Sequence, residues 1–117
     1  MPDVNVAMRV RDAGDGIRII DIEGEINGFC EDVIVEAHER ASEGGVRVVA
    51  LNFEGLDYMN SGGIGLLVTT LIRAQRQGHQ LVAFGLTDHY REIFSLTRLD
   101  EAITIYPDEA AVLAGAG

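Results

Sequence analysis

Residues 46–77, VRVVALNFEGLDYMNSGGIGLLVTTLIRAQRQ, change from a strand pattern to a helix pattern within one continuous segment. Residues 46–51 are almost all apolar, which is typical of a strand buried on both faces of a sheet. A loop is predicted over residues 52–60 and a helix over about 61–77. The apolar stripe of that helix consists of Ile64, Leu67, Val68 and Leu71. A core strand joined to an amphipathic helix is the repeating unit of parallel α/β sheets, so the segment predicts that fold class.

The segments on either side continue the alternation of strands and helices. An Asp-Gly pair at 15–16 separates two strand patterns, which predicts an antiparallel hairpin near the N-terminus. Strands are predicted over residues 4–10, 17–22, 46–51, 81–84 and 102–106. Helices are predicted over residues 29–42, 61–77, 88–96 and from 107 onward. After the hairpin the order is βαβαβα, so we expect an α/β domain with a mixed sheet of about five strands and about four helices.

Length and composition limit the class of protein. The chain has 117 residues, of which 47% are hydrophobic, so a single domain over residues 1–117 with one packed core is expected. Nineteen acidic residues against nine basic ones give a net charge of −10, which should repel nucleic acid and anionic membrane surfaces. All nine basic residues are Arg, which excludes a P-loop lysine, a Schiff-base lysine and a lysine general base.

Cysteine and histidine give little support for a catalytic or metal-binding centre. Cys30 is the only cysteine and lies on the apolar stripe of the first predicted helix, where a small core residue is expected. His38, His79 and His89 are scattered without a metal-ligand spacing. We expect His38 and His89 to be solvated surface residues, and we predict no metal and no cofactor.

Signals of export and membrane insertion are also missing from the sequence. Residues 1–5 contain no basic region leading into an apolar one, as a signal peptide would. No apolar run approaches the roughly 20 residues that span a bilayer, and a lone cysteine fits a reducing compartment. We therefore expect a cytoplasmic protein without direct membrane insertion.

The junction between the predicted loop and the second helix, residues 56–65, is the most informative segment for function. Ser61 lies at the N-cap or in the first turn, and Asn60 is the rival cap. A helix start presents unpaired N–H groups and the positive end of the helix dipole, so an anion is stabilised there. Bulk is kept away from the hydroxyl by Gly62, Gly63 and Gly65. This arrangement suits a hydroxyl that another protein reaches, or a phosphate attached to it.

Two other interpretations of Ser61 compete with this one. The serine could serve only as a helix cap, with the glycines allowing a tight turn and close packing of helix on sheet. It could also be the nucleophile of a hydrolase, but the G-x-S-x-G pattern needs glycine where Met59 stands, and no histidine is placed by pattern as the base.

The ordered set of segments resembles the STAS family, the anti-sigma factor antagonists, over about residues 4–114. The family hallmark M-D-S-S-G-L-G is matched by Met59-Asn60-Ser61-Gly62-Gly63-Ile64-Gly65. A Gly-Glu-Leu-Asp-like segment is matched by Gly24-Glu25-Ile26-Asn27. The core strand of the family is matched by residues 49–53, and its later elements by residues 81–85 and 91–99. The resemblance implies a single STAS domain that is a regulatory binding protein and not an enzyme.

The resemblance also implies how such a protein is switched. In phosphorylatable members, an anti-sigma factor that is also a serine kinase phosphorylates the first serine of the hallmark, which is Ser61 here. The unphosphorylated antagonist binds that factor and frees sigma, and a phosphatase resets the switch. Asn60 replaces the usual Asp, and Gly62 replaces the second Ser, so Ser61 is the only acceptor in the loop.

A partner-binding surface is expected around this serine. Its predicted members are Asn27, Asp57, Met59, Asn60, Gly62, Gly63 and Ile64. Met59 is the first choice for an exposed apolar contact, since it lies in the predicted loop. No Arg lies between Arg47 and Arg73 to neutralise a phosphate, so the added charge should favour release of the partner. The alternatives are a scaffold subunit of a larger signalling complex and an accessory STAS protein linked to a transporter or small ligand; self-association is also left open.

Overall fold

The computed structural model describes residues 4–116, and the chain ends at 1–3 and 117 lie outside the described part. The strands are β1 (Val6–Gly14), β2 (Ile17–Ile26), β3 (Val48–Met59), β4 (Gln80–Phe84) and β5 (Thr104–Tyr106). The helices are α1 (Glu31–Ala41), α2 (Ser61–Gln77), α3 (Asp88–Leu96) and α4 (Glu109–Gly115). Short 3-10 turns at Gly28–Cys30 and Leu99–Glu101 precede α1 and β5. The predicted α/β class, with five strands and four α-helices in this order, is confirmed over the described residues.

The five strands form one mixed sheet in the order β1-β2-β3-β4-β5. β1 and β2 pair antiparallel around the predicted turn, where Gly14, Asp15 and Gly16 all have positive φ. The pairs β2–β3, β3–β4 and β4–β5 are parallel, as the crossover helices require. Ile26 pairs with Met59 at the carboxyl ends of β2 and β3. The segments that follow these two strands are therefore neighbours in space.

Helices cover the two faces of the sheet unequally. The larger core lies under α1, α2 and α3, to which Ile34, Leu67 and Phe94 contribute fully buried side chains. The smaller core on the opposite face lies under α4, which contributes Val112. Alternate residues of β2 supply both cores: Ile20 and Ile22 point to the larger one, Ile17 and Ile19 to the smaller.

β3 is longer than the sequence pattern predicts, and the predicted loop over residues 52–60 is wrong. The strand continues to Met59, paired with β2 through two register shifts. Gly55 permits this pairing, because a Cβ there would lie 2.8 Å from the carbonyl oxygen of Ile22. Polar residues such as Glu54 are exposed in this part of the strand, so the continuous apolar run that marked its first half is lost.

The prediction that His38 is a surface residue is wrong. Its side chain is 1% exposed, and its Nε2 atom lies 3.0 Å from Nε2 of His79, which is also buried. The buried face of α1 comprises Ile34, Ala37, His38 and Ala41, at i, i+3, i+4 and i+7. Burial lowers the pKa of His38 to about 4, and the nearby positive charges of His79 and Arg73 act in the same direction. Burial also lowers the pKa of His79.

The apolar stripe predicted for α2 is partly correct. Leu67 is fully buried, while Ile64 and Leu71 are half-buried against the larger core. Val68 is 38% exposed, so its assignment to the buried stripe is wrong. The inward face of the helix consists instead of Gly63, Leu66, Leu67, Thr70 and Ala74. The buried face of α2 is therefore shifted by one residue from the apolar stripe that the sequence predicts.

Candidate functional site

Asn60 caps helix α2, which leaves Ser61 as the first helical residue. The backbone of Asn60 is extended, and its Oδ1 accepts a hydrogen bond of 3.0 Å from the Gly63 N–H. The Asn60 N–H donates to the Ile26 carbonyl at 3.2 Å, which ties the cap to the end of β2. Ser61 is exposed, and within residues 4–116 its hydroxyl makes no hydrogen bond. The capping role that competed for Ser61 is therefore filled by its neighbour.

Two glycines after Ser61 are required by close backbone contacts. A Cβ at Gly62 would lie 2.8 Å from the Gly28 nitrogen, and one at Gly63 would lie 2.6 Å from the Ile26 carbonyl oxygen. The backbone atoms of Gly28 and Ile26 cannot move aside as the end of a flexible side chain can. Residues larger than glycine are therefore disfavoured at both positions. Gly62 stands where the family pattern has its second serine, and in this chain a side chain at that position would meet the turn before α1.

The 3-10 turn before α1 lies against the start of α2 and presents an aromatic ring to solvent. Asn27 caps this turn, since its Oδ1 accepts a hydrogen bond of 2.8 Å from the Phe29 N–H. The Asn27 N–H donates to the sulfur of Cys30 at 3.5 Å, and Cys30 is fully buried as predicted. Phe29 itself is 64% exposed. Phe29 is not among the residues predicted from the sequence, although an aromatic residue next to a glycine is a usable signal of an exposed contact.

The predicted partner-binding residues divide into exposed and buried groups. Met59 is the last residue of β3 and only 4% exposed, and its N–H donates to the Tyr90 hydroxyl at 2.9 Å. The prediction that Met59 is an exposed loop residue is therefore wrong, because the strand carries it into the larger core. Gly63 is buried, and Asn27, Asn60 and Ile64 are half-buried. Asp57 and Gly62 are exposed near Ser61 in the chain, as is Tyr58, which the sequence pattern did not predict as a contact residue.

The chain around Ser61 is acidic or uncharged. Within residues 4–116, Arg11, Arg18 and Arg40 form ion pairs with acidic residues of β1, β2, α1 and α4. Within residues 4–116, no group of three or more His, Cys, Asp or Glu side chains is arranged to hold a metal ion. Over the same residues, no helix combines the length and apolar character needed to cross a bilayer.

Comparisons with known proteins define the family. The STAS domain model matches residues 9–112, so the chain belongs to the STAS domain family. The anti-sigma-B factor antagonist of Listeria monocytogenes is 27% identical over 104 residues, which are 87% of this chain and 90% of the relative.

Two solved structures share the fold. The anti-sigma factor antagonist SpoIIAA in its unphosphorylated form has a TM-score of 0.72 at 19% identity, covering 95% of this chain and 99% of the other. The Bacillus cell fate determinant SpoIIAA in its phosphorylated form has a TM-score of 0.69 at 20% identity, covering 92% of this chain and 98% of the other. At these identities the likeness concerns the fold.

Proposed function

We propose that this protein is an anti-sigma factor antagonist whose binding to a kinase-type anti-sigma factor is switched by phosphorylation of Ser61. The observation that carries the proposal is the exposed Ser61 hydroxyl at the first position of α2, free of the capping role that Asn60 fills. The relative from Listeria is named an anti-sigma-B factor antagonist, and SpoIIAA exists in a phosphorylated form. On this proposal the chain is a regulatory binding protein and not an enzyme, and a cognate phosphatase restores the free hydroxyl.

The charge distribution supports a switch that acts by releasing a partner. A phosphate adds about −1.5 to −2 charge at neutral pH. It would be stabilised in part by the positive end of the α2 dipole. The sequence from residue 48 to residue 72 contains no Arg, and Glu54 and Asp57 precede the serine. Most of the added charge would therefore face the partner, where burying it without a counter-charge is costly.

Phosphorylation is expected at Ser61 alone. A pull-down from source cells, with and without phosphatase treatment, identifies the kinase-type partner. When that kinase and ATP are added, the intact mass should increase by one phosphate, and Ser61→Ala should abolish the increase. Ser95→Ala, which removes another exposed helical serine, serves as the control and should leave the mass increase unchanged. A phosphate located on Thr69 or Ser95 would contradict the assignment.

Ser61→Asp is expected to fold normally and to bind the partner at least about tenfold more weakly than the wild type. A carboxylate at the first position of a helix is tolerated or stabilising by ~0.3–1 kcal/mol, so the melting temperature should change little. No Arg lies between residues 48 and 72 to offer the same carboxylate a counter-charge in the interface. Ser61→Ala should bind about as well as the wild type, because it removes no hydrogen bond.

Titration calorimetry beside a thermal melt of each variant tests both parts of this prediction. Equal affinity of Ser61→Asp and wild type would favour the scaffold alternative, in which the serine is not a switch. Failure of Ser61→Asp to fold would mean that Ser61 has a structural role.

A further inference from the structure

The last part of β3 has a paired strand on one side only within the described part of the chain. β4 pairs with β3 as far as Asn52, and residues 53–59 continue along β2 alone. Backbone N–H groups on the open side of this extension therefore find no strand that accepts their hydrogen bonds. The extension ends at Met59, directly before the Asn60 cap and Ser61. The contacts that hold this extension therefore set the position of the serine.

Tyr90 of α3 takes the place of a neighbouring strand at Met59. Successive N–H groups of a strand point to opposite edges, and the Asn60 N–H donates to the Ile26 carbonyl of β2. The Met59 N–H points to the other edge and donates to the Tyr90 hydroxyl at 2.9 Å. Met59 is 4% exposed and Tyr90 is 7% exposed, so bulk water does not replace this acceptor. A buried N–H that loses its acceptor destabilises the structure around it.

Tyr90 is itself fixed by contacts outside the β3–α2 segment. It lies in the first turn of α3, and its N–H donates to Oγ1 of the Thr87 cap at 3.4 Å. Its ring packs on the ring of His89, with 5.0 Å between the two centroids. Tyr90 also belongs to the larger core. The hydroxyl oxygen is therefore presented to Met59 from a separate helix with a defined position.

We infer that Tyr90 is a positioning residue for the phosphorylation of Ser61. Its hydroxyl fixes the end of β3, and the end of β3 fixes the Asn60 cap and the first turn of α2. In the reaction the Ser61 oxygen bonds to the γ-phosphorus of ATP, ADP leaves, and a base of the kinase takes the hydroxyl proton. This transfer requires an aligned serine oxygen, so a small displacement lowers its rate. The inference rests on the proposed function and adds a buried residue of α3 that acts through Met59.

The first test needs no partner. Tyr90→Phe keeps the ring and removes only the acceptor oxygen, so the fold should persist in a thermal melt. Hydrogen exchange followed by NMR should show the Met59 amide exchanging at least about tenfold faster than in the wild type. The amide of Leu51, where β3 is paired on both sides, should keep its wild-type rate.

Three results of this first test would overturn the inference. An unchanged exchange rate at Met59 would mean that the hydrogen bond does not hold the end of β3. Equal acceleration at Met59 and Leu51, or failure of Tyr90→Phe to fold, would mean that the hydroxyl supports the whole fold and not this segment in particular.

The second test measures the steady-state kinetics of Ser61 phosphorylation by the kinase-type partner. Tyr90→Phe should lower kcat about tenfold and change KM by less than about twofold, because the exposed surface is kept while the serine oxygen is misplaced. Tyr106→Phe is the matched control. It removes a hydroxyl that makes no hydrogen bond within residues 4–116, from a ring packed on the smaller core. Its kcat and KM should equal those of the wild type.

The outcomes separate the inference from the proposed function. If the wild type is phosphorylated on Ser61 and Tyr90→Phe has the same kcat, the inference fails and the proposed function stands. A raised KM with unchanged kcat would also overturn the inference, because Tyr90 would then act on docking and not on the position of the serine. If no kinase phosphorylates Ser61 of the wild type, both fail.

Discussion

Leu67→Ala is expected to lower the free energy of unfolding by about 2–5 kcal/mol. The Leu67 side chain is fully buried between α2 and the sheet, in the larger core. Truncation removes its buried methyl groups and leaves a cavity that the surrounding strands cannot fill completely. Urea unfolding monitored by circular dichroism measures the loss.

Neighbouring positions on the same helix provide controls for this measurement. Val68→Ala should change the free energy of unfolding by no more than about 0.5 kcal/mol, because Val68 is exposed. Leu71→Ala should fall between the two, since Leu71 is half-buried against the larger core. A loss below half a kilocalorie per mole for Leu67→Ala would show that the opposite face of α2 packs on the sheet.

Acidification from pH 7 to pH 5 is expected to destabilise the fold by about 2 kcal/mol through His38 alone. In the unfolded chain the pKa of this imidazole is about 6.5. Burial, with the positive charges of His79 and Arg73, lowers its pKa in the folded state to about 4. The unfolded state therefore binds more protons between these two values. The contribution is fully present above pH 6.5 and is lost as the pH falls toward 4.

Urea unfolding at several pH values tests this dependence with two matched variants. His38→Gln keeps a hydrogen-bonding side chain beside His79 and should remove most of the loss between pH 7 and pH 5. His89→Gln should leave it unchanged, because His89 is exposed on α3. Identical pH dependence in wild type and His38→Gln would contradict the assignment. His79→Gln should reduce the loss as well, since burial lowers the pKa of His79 in the same sense.

Most of the candidate site can be predicted from sequence because it is built by local rules. Ser61, Asn60 and the glycines share one short segment, and a cap followed by an apolar helix is visible without any partner segment. Phe29 could not be joined to this site in the same way. It lies 32 positions before Ser61, and only the parallel pairing of β2 with β3 brings the turn that carries it against the start of α2.

The amino-acid pattern is sufficient to predict the α/β class, the order of the elements and the bounds of α2 and α3, because these follow from periodicity and end signals within a few residues. Three assignments depended on tertiary structure. Met59 is buried because β3 continues along β2 beyond its apolar half. His38 is buried because a second histidine, 41 positions away, supplies its hydrogen bond. Val68 is exposed because α2 packs on the sheet through a different face of the helix. Burial is decided by contacts between distant segments, and local spacing does not contain them.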